Sequence, residues 1–161
     1  MKRVRVLFYH CYGGAHTSIT CASIHLNYLP HDRIPETYEF KAIPFYDKMN
    51  NKELGTPIYM GRDDLGWDVY VVGMKDGKSV VIPAIKSYLN ATGISQREVL
   101  FVSAMVQLHL MTAIGGITSR KLGIPFIGRP MTIWGIRRSY PLLVDLVTRV
   151  KQTLAARNDC Y

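Results

Sequence analysis

The opening of the chain alternates Val4, Val6 and Phe8 with Arg3, Arg5 and Leu7, the period of two expected of a strand, and Tyr9-His10 carries that strand to its end. Gly13-Gly14 breaks it. Ile19, Ala22, Leu26 and Leu29 then recur at helical spacing after Thr17-Ser18, either of which can cap the first turn, and Pro30 closes the segment. The predicted unit is strand, tight loop, helix.

From His31 to Thr56 the chain is polar and interrupted by Pro35 and Pro44, which reads mainly as connection and lid with a short strand candidate at Tyr38 to Ile43. Pro57 to Met60 and Trp67 to Val72 read as two strands joined across Gly61-Arg62-Asp63-Asp64-Leu65-Gly66, a composition that suits a hairpin. Val80 to Leu89 predicts a helix ending near Gly93, and Val99 to Val102 a short strand buried on both faces. Leu108 to Leu122 predicts a helix that stops at Gly123, with Arg120-Lys121 in its last turn, and Phe126 to Trp134 a further strand. In the last helix Ser139 is the expected cap, Pro141 lies in the first turn, and Leu142, Leu143, Leu146, Val147, Val150 and Leu154 form the buried stripe.

Strand and helix alternate throughout, so the expected fold is α/β: a three-layer, Rossmann-like arrangement of a mainly parallel sheet with a local antiparallel hairpin. Right-handed crossovers would set the loops after successive strands along one edge, where such folds bind ligands. With 161 residues, 48% of them hydrophobic and 20% charged, the whole chain (1–161) is expected to form a single α/β domain. Cys11, Cys21 and Cys160 make no even disulfide framework, and Met1-Lys2-Arg3 runs straight into the first strand without a leader's apolar core. A cytoplasmic protein with no membrane span is the expectation.

A net charge of +8 favours anionic ligands such as phosphates and nucleotides. The charge is scattered, with Arg120-Lys121 and Arg137-Arg138 the evident pairs, so nucleic acid ranks below a small phosphorylated or otherwise anionic molecule as partner. No cofactor is expected, and homo-oligomerisation is left open.

The chemistry concentrates in His10-Cys11-Tyr12-Gly13-Gly14-Ala15-His16-Thr17-Ser18. Glycines let backbone N–H groups turn inward, and the start of the following helix attracts negative charge. The same field favours the thiolate of a cysteine placed there. The anion-binding candidates are therefore Gly13, Gly14, Thr17 and Ser18, with Arg137 or Arg138 as a charge clamp. The catalytic candidates are Cys11, as nucleophile or ligand contact, and His16, as donor or proton relay. Against these stand plainer readings: Cys11 as a buried strand-end thiol, His16 as a packing residue, the arginines as solvated surface. Ser103, Gln107, His109 and Tyr140 are rim candidates, and Asp47 a candidate general acid beside Tyr46.

A metal site built from His10, Cys11, His16 and His109 is disfavoured, because adjacent strand residues point to opposite faces and no paired zinc-type motif is present. Cys21 and His25, four apart, read as core and surface packing on the first helix. Gly73-Met74-Lys75-Asp76-Gly77-Lys78-Ser79 is like a nucleotide P-loop but has one residue too few between its glycines and follows a later strand. It reads as coincidence, although Lys75 and Lys78 fall between a strand and a helix, where they would face the same edge as Cys11.

The first loop resembles those of low-molecular-weight tyrosine phosphatases and arsenate reductases, in which a cysteine ending the first strand is followed, six positions on, by arginine and then serine. Cys11 and Ser18 match, whereas Thr17 stands in the arginine's place, so the clamp on phosphate oxygens that the resemblance implies is missing from the loop itself. The whole chain resembles a family of uncharacterised proteins from spore-forming Firmicutes. The resemblance rests on an H-C-Y-G-G-x-H-S/T-S loop (His10 to Ser18), an L-P-x-D-R-[LI]-P stretch (Leu29 to Pro35) and a G-R-P-x-x-I-W-G-x-R-R-x-Y-P stretch (Gly128 to Pro141). It implies no particular activity. The functional expectation is an anion-binding loop serving thiol-dependent phosphoryl transfer or hydrolysis of a small phosphorylated molecule, or else a non-catalytic nucleotide- or anion-binding regulatory module.

Overall fold

A computed structural model describes residues 5–46, 48, 54–105 and 125–159. β1 (Val6–Cys11) leads through a short loop into α1 (Thr17–His25), followed by α2 (Thr37–Ala42), the hairpin strands β2 (Ile58–Arg62) and β3 (Asp68–Gly73), α3 (Lys78–Ala91), a 3-10 turn (Gln96–Glu98), β4 (Val99–Ser103) and α4 (Pro125–Asp159). The strands form one sheet in the order β2-β3-β1-β4, with β1 parallel to both β3 and β4 and β2 antiparallel to β3. The mixed, mostly parallel α/β sheet and its antiparallel hairpin agree with the sequence.

Alternation along the strands divides the sheet's two faces. Leu7, Tyr9 and Cys11 of β1 and Val69 and Val71 of β3 are buried in the main core. On the opposite face Tyr59, Tyr70, Phe8 and Phe101 make a row of rings across all four strands, with centroid separations of 5.3, 5.5 and 4.9 Å. β4 is half-buried along its length rather than fully buried.

All nine residues of α1 are buried. The helix lies against β1 and β3 on one side and α4 on the other. It therefore lacks the polar outer face of a surface helix; Ser18, Thr20 and His25 find partners inside the protein, whereas the buried Ser23 hydroxyl has none among the described residues. Asn27 adopts a left-handed conformation (φ 60°), and the amides of Tyr28 and Leu29 return to the Ser23 carbonyl. That closure ends the helix at His25, before the predicted Leu29.

Two predicted strands are helical. Tyr38 to Ile43 falls largely in α2, which starts with a reciprocal capping box between Glu36 and Glu39. The segment is no simple lid, since Phe40, Ile43 and Tyr46 all join the core. Phe126 to Trp134 belongs to α4, whose buried positions Ile133, Ile136, Tyr140, Leu143, Val147, Val150 and Leu154 recur at alternating spacings of three and four. Ser139 and Pro141 consequently lie inside this helix instead of opening it. The predicted helix over 108–122 lies outside the described residues.

Candidate functional site

Because β1, β3 and β4 are parallel, their C-terminal ends, Cys11, Gly73 and Ser103, share one edge of the sheet. The loop leaving β1 is fastened to the turn leaving β3: the amides of Met74 and Lys75 donate to the carbonyls of Cys11 and Tyr12. Gly14 and Gly73 make that contact sterically feasible. Gly14 has φ +70°, and a Cβ on it would lie 2.7 Å from the Gly73 nitrogen; a Cβ on Gly73 would lie 2.7 Å from the Gly13 carbonyl carbon.

The chain folds back around the thiol. The Gly14 N–H donates to Cys11 Sγ at 3.0 Å, and Ser18 Oγ is hydrogen-bonded to the same sulfur at 3.2 Å. Ser18, fully buried in the first turn of α1, spends its hydroxyl on Cys11, while His16 occupies the N-cap position without a side-chain cap. Neither Thr17 nor Ser18 therefore acts as the predicted cap. An α-helix leaves its first N–H groups without intrahelical partners. Among the described residues, the amides of Ala15, Thr17 and Ser18 donate to no backbone carbonyl.

Cys11 is 6% exposed, so the sulfur lies beneath the surface, under a rim that includes Tyr12, about half exposed, and the half-buried Gly13 and His16. His16 packs edge-on against Tyr46, with ring centroids 5.5 Å apart, and Tyr46 is tilted against Phe40. Cys21 is wholly buried within α1, and burial raises the pKa of its thiol, with the nearby Cys11 sulfur adding to the effect.

The arginine pair sits elsewhere than its predicted strand end. Arg137 projects from α4 to Glu36, Nη1 to Oε2 3.1 Å, and the Arg138 guanidinium lies 5.8 Å from the centroid of the Trp134 ring. Tyr140 donates its hydroxyl to the Pro30 carbonyl and packs edge-on against Phe40. Lys75 and Lys78, both exposed, follow β3 at the edge that carries Cys11. Ser103 is level with His10 across β1 and β4, and its Oγ accepts from the Met105 amide. Asp47, Gln107, His109 and Cys160 lie outside the described residues.

Two features lay hidden in the sequence. One is Gly73, whose need to be glycine arises from a partner some sixty residues earlier in the chain. The other is a buried polar chain behind the loop. Tyr9 Oη meets His25 Nδ1 at 3.0 Å, His25 Nε2 meets Asp63 Oδ2 at 2.9 Å, and Asp63 Oδ1 accepts the amides of Leu65 and Trp67. His25 is thus a core residue tying the end of α1 to the hairpin turn. No sequence periodicity signals this link, because its three members come from three separate elements.

Residues 6–152 match the family model described as "Protein of unknown function (DUF3189)". The chain belongs to this family. The match runs from the first residue of β1 to within the last helix, so the loop, the sheet and most of α4 are all parts of the DUF3189 unit. Comparison with curated proteins and with solved structures gives no match. Among the described residues of this DUF3189 protein, no helix is long and apolar enough to cross a membrane.

Proposed function

We propose that the loop Cys11 to Ser18 holds a phosphate-type anion beside an activated thiol, and that Cys11 acts on a small phosphorylated molecule as nucleophile. The observation that carries this is the setting of the sulfur: the Gly14 N–H donates to it, the Ser18 hydroxyl is within hydrogen-bond reach of it, and the start of α1 lies beside it. A backbone N–H turned inward and a helix N-terminus both favour a negatively charged guest at this place. Gly13, the Thr17 hydroxyl and the amides of Ala15, Thr17 and Ser18 are the donors offered to the ligand, with His16 at the rim as the proton relay. Thr17 in place of arginine leaves positive charge to be supplied from outside the loop, and Lys75 and Lys78 supply it at this edge.

Alkylation tests the proposal. Iodoacetamide is expected to modify Cys11 at neutral pH at least about tenfold faster than Cys21, and inorganic phosphate to protect Cys11. Ser18→Ala should slow the reaction by removing one of the sulfur's partners. Equal rates for the two thiols, with no effect of phosphate, would sink it. A specific observation favours a second reading: with Cys11 only 6% exposed, a non-catalytic anion-binding module would show phosphate binding together with slow alkylation.

The three-layer arrangement is part of the same proposal. β1 to β3 and β3 to β4 run in opposite directions across the sheet, and right-handed crossovers then place α1 and α3 on opposite faces.

A further inference from the structure

We propose that the outer face of α4 between Trp134 and Arg149 is an interface with a second copy of this chain, the two helices packing antiparallel about a twofold axis that passes between Pro141 and Leu142. The inference is independent of the anion-binding reading and gives Arg138 a role outside the first loop.

The buried stripe of α4 has its partners in the core, which leaves the opposite side of the helix outward. On that side Trp134, Arg138, Pro141, Leu142, Asp145 and Arg149 are all exposed. Helical periodicity puts them on one face about 100° wide. Two of them are large apolar side chains, Trp134 at 51% and Leu142 at 39% exposure, aligned two turns apart. An ordinary outer face would be polar at both places.

The charges on this face identify the occupant. A twofold interface must be complementary to itself, so that whatever a residue meets on the other chain also meets it. With the axis between Pro141 and Leu142, Arg138 lies opposite the partner's Asp145 and Trp134 lies opposite the partner's Arg149. Pro141 and Leu142 meet at the centre, and every contact occurs twice. No neighbouring register does as well. A slip of one turn one way sets Arg138 against an arginine, and a slip the other way sets it against proline and Asp145 against tryptophan.

Both charged partners are available. Arg137 is taken by Glu36, whereas Arg138 pairs with no acid among the described residues and rests 5.8 Å from the Trp134 ring centroid. Asp145 holds Arg149 of its own helix at 2.9 Å, and with 58% of its side chain exposed it can accept a second arginine. A chain of net charge +8 repels its own copy, so docking needs opposite charges matched at the contact, and this face supplies them.

Sedimentation of the full chain over a range of concentrations is expected to show reversible association to the mass of two chains. Arg138→Glu puts two acids opposite each other, and Asp145→Arg two arginines; each should weaken association at least about tenfold. The double variant exchanges the charges across the axis and should recover it. Both positions are exposed, and unchanged thermal midpoints report that the variants fold. Of the two tryptophans Trp67 is buried, so dilution should expose Trp134 alone to iodide quenching. A chain that stays monomeric at every concentration overturns the proposal: a quenchable Trp134 then leaves the face to solvent or a different protein, and a shielded one means that its own chain covers it. A dimer indifferent to both single substitutions, or a double variant that stays weak, overturns it as well.

Discussion

Gly14→Ala is expected to destabilise the protein by about 2–5 kcal/mol, combining the cost of a side chain in left-handed backbone with overpacking against a neighbour that cannot yield. At Gly14 φ is +70°, and the added Cβ would meet the Gly73 nitrogen at 2.7 Å and its Cα at 3.0 Å, both main-chain atoms of a central strand. β3 cannot retreat without breaking its pairing with β1, so the loop must move instead. Movement would withdraw the Gly14 N–H from Cys11 Sγ, and the thiol should lose its reactivity together with the stability. Gly73→Ala probes the same contact from the other side. Its backbone needs no positive φ, so only the steric part applies, about 1–3 kcal/mol. Thermal unfolding resolves these effects, with the midpoint of Gly14→Ala falling by on the order of 10 °C. Unchanged midpoints for both variants would mean that the two turns are not packed as described.

Asp63→Ala should cost about 3 kcal/mol, since it leaves His25 and the amides of Leu65 and Trp67 without their shared acceptor in a buried setting. The side chains of His25 and Asp63 are 0% and 4% exposed, so water cannot take the missing carboxylate's place. A pH dependence follows from the same geometry. Burial alone would raise the Asp63 pKa, but the hydrogen bonds from His25 and from the Trp67 and Leu65 amides outweigh it and hold the carboxyl below its ordinary value. A carboxyl with a depressed folded-state pKa stabilises fully above its unfolded value, about pH 4, and that contribution is lost as pH falls through the folded one. Denaturant titrations across the acid range should therefore show a steeper loss of stability below about pH 4 in the natural protein than in Asp63→Asn, where no carboxyl titrates. Parallel acid limbs would remove Asp63 from the account.

The loop was legible because its signals are local. A period-two run, two glycines and the start of a helical pattern follow one another directly in the chain, although the expected caps Thr17 and Ser18 do not act as such. The β2–β3 hairpin was legible for the same reason. The α2 segment was misread because Tyr38, Phe40 and Ile43 fit a strand's alternation as readily as one helical turn, and the deciding feature is the capping box between Glu36 and Glu39. The start of α4 was misread because Gly128 and Pro130 interrupt the pattern, while the three-and-four spacing of Ile133, Ile136 and Tyr140 continues the later stripe back into that run. The buried character of α1 was invisible, since nothing in Thr17 to His25 announces that α4 covers its outer side. Within the site, the sequence offered Gly14 and Ser18 as donors to an anion; that both turn to the Cys11 sulfur emerges only from the folded loop. The closing glycine of β3 and the His25–Asp63 link were not legible, because both are set by contacts between distant segments.

Titration of isotopically labelled protein with inorganic phosphate reaches the central claim most directly. If the turn after β1 holds the anion, the amide resonances of Gly13, Ala15, Thr17 and Ser18 move together and saturably, and the Cys11→Ser variant still binds. Should those four resonances stay fixed at saturating phosphate, or move only as part of a uniform drift across the surface, the turn is a structural closure and the thiol beside it has no ligand to act upon.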